Sequence, residues 1–332
     1  MTADIIMLLI SLAAILMSCF MFTNAVEWLG RIMNLGHSVV GSVLAAVGTA
    51  LPETIIPIIA ICFFKGEGPG QIAVGAIAGA PFMLSTLAFF ITGAAVLIYA
   101  AMGKRKAVIT ADIKGISRDL VFFIILYGAA VLSTFLRGII AARTIIAGVL
   151  ILSYILYLKL TFTHGGESED DPEELYFSNW LNRKNSMVLI ITQLVLSLVI
   201  MVSAADFFVK YTEKLSVLLG MAPLILSILI TPIATELPEK LNSIIWVGKG
   251  KDTLALGNIT GAMVFQSCFP VAFGVMFTPW NLQGVTIVSA ELALAAAVLN
   301  LIWIRVTKSF NPYFMLATGA LYFLLLVKIF VK

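Results

Sequence analysis

The chain reads as an all-α membrane protein of ten transmembrane helices in two inverted-topology five-helix repeats. Three observations predict this. Of its 332 residues, 61% are hydrophobic and only 12% charged, against roughly 25% charged in soluble globular domains. The charges gather between apolar runs that approach or exceed the ~20 residues needed to cross a bilayer. One hexapeptide also recurs inside such runs, as Gly48-Thr49-Ala50-Leu51-Pro52-Glu53 and as Ala234-Thr235-Glu236-Leu237-Pro238-Glu239.

Taken in order, the first five spans are expected at 4–26, 37–64, 71–100, 119–136 and 143–160. The first lacks a preceding basic region and a following small-residue cleavage pattern, so it reads as a retained helix rather than a signal peptide. The second carries the first hexapeptide, and the third opens on Gly75-Ala76-Ile77-Ala78-Gly79-Ala80. A hydrophilic stretch over 161–185, with the acidic run Glu167-Ser168-Glu169-Asp170-Asp171-Pro172-Glu173-Glu174, divides five spans from five. It lacks the spaced ligands and turn glycine of an EF-hand and reads as a solvated cytoplasmic linker. The remaining spans are expected at 186–209, 217–247, 253–278, 283–304 and 312–331. The organisation is thus a first repeat over 1–160, a linker over 161–185 and a second repeat over 186–332.

The two halves align without a gap across their second spans. One offset of 186 pairs Glu53 with Glu239, Thr49 with Thr235 and Glu27 with Glu213. In the next helix Gly257-Asn258-Ile259-Thr260-Gly261-Ala262 matches Gly75–Ala80. Five spans is an odd number, so the second half enters the membrane from the opposite side, and such repeats put substrate sites near the midplane where the halves meet. With both termini outside, the cytoplasmic loops hold 13 basic residues against 7 on the external side, which follows the positive-inside rule. Cys19, Cys62 and Cys268 all fall in apolar segments and read as small buried hydrophobes rather than a disulfide framework.

An ionisable residue at membrane depth costs at least ~2.5–3.5 kcal/mol on insertion scales and is functional by default. The natural partner of Glu53 is Glu239, and two facing acids call for a cation between them. A proline removes one helix N–H and displaces the carbonyl four residues earlier, so Pro52 frees Gly48 and Pro238 frees Ala234. Each half then offers a carboxylate, a threonine hydroxyl and a main-chain carbonyl. Ca2+ takes ~6–8 oxygens, which this set approaches with water completing it. Glu236 and Lys240 have no charged counterparts in the first half, where Ala50 and Thr54 stand. Four residues apart, Glu before Lys, they either neutralise each other on one helix face or place the ammonium near the cation site as a tethered counter-ion. Either way, Lys240 modulates the site.

The first hexapeptide resembles the G-T-S-L-P-E signature of the cation/calcium exchanger superfamily, which includes the sodium/calcium exchangers. Gly257-Asn258-Ile259-Thr260-Gly261 resembles the start of that family's next helix. The resemblance covers both halves and implies an inverted-repeat antiporter in which Glu53 and Glu239 are the central divalent-cation ligands, with Thr49 and Thr235 contributing. The family's polar positions fall here at Ala50, Ala80, Leu84, Glu236, Ala262 and Gln266. Most of these offer no oxygen, so three sodium sites are not expected; Gln266 still offers one, and Pro270 frees its own carbonyl.

The expected function is secondary antiport of a divalent cation, Ca2+ foremost, against H+ or Na+. Two facing carboxylates repel when no metal lies between them, so one retaining a proton would let the same acids couple to H+. The alternatives are an Mg2+ or Mn2+ exporter on the same fold and a non-transporting scaffold or sensor locked by Glu236–Lys240. No enzyme, resident cofactor or nucleic-acid partner is expected, and no ATPase motif supports a pump. The expected partners are the two transported ions and the bilayer, in a prokaryotic plasma membrane. Asp206 is expected to face water or pair with Lys210, or else to line an external entrance; Glu291 is expected inside the ninth span as a buried protonated acid, a proton relay or a lipid-facing group; and His37 is expected to be interfacial.

Overall fold

The computed structural model describes residues 2–32, 51–64, 66–136, 138–162 and 174–331, with side chains at 30, 51, 162 and 237–242 outside the described set. All named elements within it are helical. They are α1 (Thr2–Ile32), α2 (Leu51–Cys62), α3 (Glu67–Ala101), α4 (Ile113–Leu136), α5 (Ile140–Phe162) and the short α6 (Tyr176–Trp180). There follow α7 (Met187–Leu218), α8 (Pro223–Gly248), α9 (Asp252–Phe277), α10 (Val285–Thr307) and α11 (Pro312–Phe330). Among the described residues, eight of these are long and apolar enough to cross a membrane, and the described parts of α2 and α8 add the shorter apolar stretches Pro52–Cys62 and Pro223–Glu236.

Several ends differ from the sequence expectation, each for a local reason. α7 continues to Leu218 rather than stopping at 209, and Asp206 and Lys210 pair one turn apart at 2.7 Å within it. It ends where Gly220 turns the backbone to φ 62, and Pro223 then opens α8. α4 begins at Ile113 rather than 119, with the Asp112 carboxylate capping the Lys114 N–H, as N-cap acids do. Within α3, Pro81 is followed by a π-helical turn over Leu84–Ala88. The expected second span at 37–64 is described only from Leu51 onward, and His37 lies outside the described residues. Cys19 and Cys268 are buried as expected, but Cys62 is exposed at the end of α2, and all three are free.

Helix packing sets the frame. α1 lies along α7; α3 packs on α8 and, through its second half, on α11; α9 packs on α4 and α5. The pairs α2–α3, α8–α9, α2–α7, α1–α8, α2–α9 and α3–α10 are also in contact. The α3–α8 approach depends on Gly75 and Gly79, where an added Cβ would stand 2.6 Å from the Leu224 carbonyl oxygen and 2.5 Å from that of Ile228. Small residues four apart are how membrane helices bring backbones together without a hydrophobic driving force.

Polar contacts fix the helix ends. Arg105, before α4, pairs bidentately with Asp252 at the start of α9, at 2.7 and 2.8 Å. The same carboxylate accepts the Thr110 N–H at 2.8 Å. At the other end of α9, Arg143 donates to the carbonyls of Val275, Met276 and Thr278, a cation at a helix C-terminus where the dipole favours it. Trp280 is fully buried in the following loop, its indole N–H on the Ala130 carbonyl at 2.9 Å. Where the linker ends, the buried Gln193 amide of α7 donates to the Met21 carbonyl and to Asn24 Oδ1 on α1, and accepts the Phe177 N–H of α6.

Candidate cation site

α2 carries Glu53 at 4% exposure in a helix that packs on α3, α7, α8 and α9. α8 carries Glu236 at 1% exposure and Thr235 at 2%. α9 carries Gln266, also buried, and its Nε2 donates to Glu236 Oε1 at 3.4 Å. Two carboxylates and a carboxamide are therefore held inside the bundle on three mutually packed helices. Among the described residues, no hydrogen bond reaches Gln266 Oε1, which is fully buried.

Thr235 Oγ1 donates back to the Thr231 carbonyl at 2.9 Å, one turn earlier. Thr231 Oγ1 lies 3.1 Å from Ser227 Oγ, which donates to the Ile72 carbonyl of α3 at 2.8 Å. Three buried hydroxyls thus run along the face of α8 that meets α3. Threonine hydroxyls bonded this way keep lone pairs available to a cation. α8 runs unbroken through Pro238, yet a proline has no N–H, so the Ala234 carbonyl cannot receive the usual bond from four residues on.

Sequence reasoning therefore placed Glu53, Thr235, Glu236 and Gln266 inside the bundle, and the structure brings Glu236 and Gln266 together. Gly48 and Thr49 lie outside the described residues, as do the side chains of Glu239 and Lys240. At the positions where the exchanger pattern has polar groups, Ala80 and Leu84 are buried at 2% and 0%. Ser85 hydrogen-bonds back to the Pro81 carbonyl at 2.8 Å, and Ser267 to that of Val264 at 2.8 Å. Glu291 lies on the exposed side of α10. Among the described residues no three His, Cys, Asp or Glu side chains gather as a metal cluster.

Sequence reasoning missed the part played by another buried acid. Asp119 of α4 accepts from Thr260 Oγ1 of α9 at 2.8 Å and meets Arg118 at 3.2 Å.

Residues 4–163 and 189–331 match the family described as sodium/calcium exchanger protein. The chain is 25% identical over 299 residues to a protein of Alkalimonas amylolytica named as a putative antiporter, CaxA, covering 90% of this chain and 88% of that one. It is 23% identical over 278 residues to the inner membrane protein YrbG of Escherichia coli (strain K12), covering 83% and 81% of the two. Among solved structures, the H+/Ca2+ exchanger CAX superposes with a TM-score of 0.76 at 16% identity, over 99% of this chain and 82% of that one. The sodium-calcium exchanger NCX_Mj soaked with 2.5 mM Na+ and 10 mM Sr2+ superposes at 0.58 and 18% identity, over 100% and 99%. At these identities the superpositions speak to the fold.

Proposed function

The chain belongs to the sodium/calcium exchanger protein family, and from that premise we propose that it is a secondary antiporter moving a divalent cation, Ca2+ foremost, against H+ or Na+. The observation that carries the reading is the burial of Glu53 and Glu236 within apolar helices that pack on one another and on the helix of Gln266. Acids held at such a place are costly unless they serve an ion.

The cation would lie between Glu53 and Glu239, with oxygens from Thr49, Thr235, Gln266 and Glu236 and from the carbonyls of Gly48 and Ala234. Lys240 would modulate its occupancy. The ten-helix, inverted-repeat organisation, divided at 161–185, draws support from the packing. Under the repeat relation α3–α8 has its mate in α2–α9, α9–α4 in α3–α10, α9–α5 in α3–α11, and α2–α7 in α1–α8, and each mate is also in contact. H+ is favoured as the coupling ion because Ala80 and Leu84 fill the interior with carbon where sodium ligands would be needed. Mg2+ or Mn2+ would use the same oxygens and differ by cavity size and retained water.

Flux in proteoliposomes loaded with Ca2+, Mn2+ or Mg2+, under an imposed H+ or Na+ gradient, tests the reading. Flux driven by one gradient and abolished in Glu53→Gln is the expected result, and the gradient names the coupling ion. Absence of flux under every gradient, with Lys240→Ala restoring it, would identify a pathway locked by its own lysine.

A further inference from the structure

Asp119 is a further carboxylate buried in the bundle, and the exchange chemistry above gives it no task. It is 5% exposed, on α4. Its Oδ2 accepts from Thr260 Oγ1 of α9 at 2.8 Å, and its Oδ1 faces the Arg118 guanidinium at 3.2 Å. That guanidinium lies 5.5 Å above the ring of Tyr157 on α5. The Tyr157 hydroxyl lies against α9 at Gly261, where an added Cβ would be 3.7 Å away.

Thr260 is eight residues into α9, or ~12 Å from its start, and Gln266 is ~9 Å further on and turned by ~240° about the helix axis. The two therefore occupy different faces. Thr260 faces α4, and Gln266 faces Glu236 on α8. Arg105 and Arg143 hold the two ends of α9, which leaves its middle to be fixed from the Asp119 side. A buried ion pair contributes little net stability against an apolar replacement, so stability alone does not account for a carboxylate here.

The geometry points to Asp119 as a positioning residue for the cation site. Acting through Thr260, it fixes the rotation of α9 and so holds the Gln266 carboxamide against Glu236. This inference rests on the cation-site reading above, and equilibrium binding tests it separately from transport.

The experiment measures 45Ca2+ binding to the purified full chain in detergent, beside flux in proteoliposomes and the thermal midpoint. Thr260→Val and Asp119→Leu are expected to weaken Ca2+ binding about tenfold, the scale of one hydrogen bond to a charged group. Thr260→Ser and Asp119→Asn keep donor and acceptor and should bind like the parent. In a Gln266→Leu background, Thr260→Val should add no further loss, because the group it positions is gone. Parental binding in Thr260→Val, or its full loss persisting beside Gln266→Leu, would overturn the proposal. So would a lowered thermal midpoint with binding unchanged. If Thr260→Val does not fold, Thr260→Ala removes the same hydroxyl with less bulk and is read the same way. Binding without flux would sink the antiporter reading and leave this one decided by the affinities.

Discussion

Glu236 and Gln266 show how one substitution can tie the site to its surroundings. Glu236 has an alanine, Ala50, at the equivalent position of the first half, so its carboxylate is an addition to the repeated motif. It accepts the Gln266 amide N–H at 3.4 Å in a fully buried setting. Replacing it by leucine leaves that amide without its acceptor, a loss of about 1–3 kcal/mol for a buried donor. Glu236→Leu is therefore expected to lower the thermal midpoint. Glu236→Gln keeps an acceptor oxygen and should hold stability nearer the parent while still weakening divalent binding through the lost charge. Thermal unfolding and Ca2+ binding measured on both variants separate the two effects. Equal stability in the two would show that the 3.4 Å contact contributes little.

At the scale of elements, glycines and loop anchors hold the helices that carry these side chains. An added Cβ at Gly79 would stand 2.5 Å from the Ile228 carbonyl oxygen and 2.7 Å from Pro232 Cγ. Gly79→Val must push α3 away from α8, and flux should fall sharply even though the site residues are untouched. An unchanged rate would mean that the two helices can separate freely. Trp280 adopts φ 44 in the loop after α9, held there by burial and by its bond to Ala130. Trp280→Ala is expected to destabilise by about 3–5 kcal/mol, read as a fall in the unfolding temperature. Much of this was legible in the sequence. Gly75 and Gly79 stood out through their match to Gly257 and Gly261, and Glu53 and Glu236 through the repeated hexapeptide. Asp119 did not, because it falls at the expected start of a span, where an acid ordinarily meets water. Its partner Thr260 is 141 residues away, and no local pattern joins them. The end of α7 was also hidden, because the paired Asp206 and Lys210 resemble a helix boundary until their bond within the helix is seen.

For the whole molecule, the orientation of the proposed organisation can be tested through the cysteines already in the chain. If the N-terminus is outside, α1 carries the chain to the cytoplasm and α2 returns it, so the C-terminal end of α2 faces outward. Cys62 lies at that end and is exposed, whereas Cys19 and Cys268 are buried. A membrane-impermeant maleimide applied to intact cells should then label the parent chain, and Cys62→Ser should lose that labelling. The opposite orientation would keep Cys62 inaccessible until the membrane is opened. The positive-inside bias of 13 basic residues against 7 favours external labelling. The result also decides which face of the cation site opens to which side. Because the proposed repeats are inverted, one labelled position in the first half fixes the direction of every span in the second. Labelling only after permeabilisation would reverse the orientation while leaving the paired packing of the helices intact.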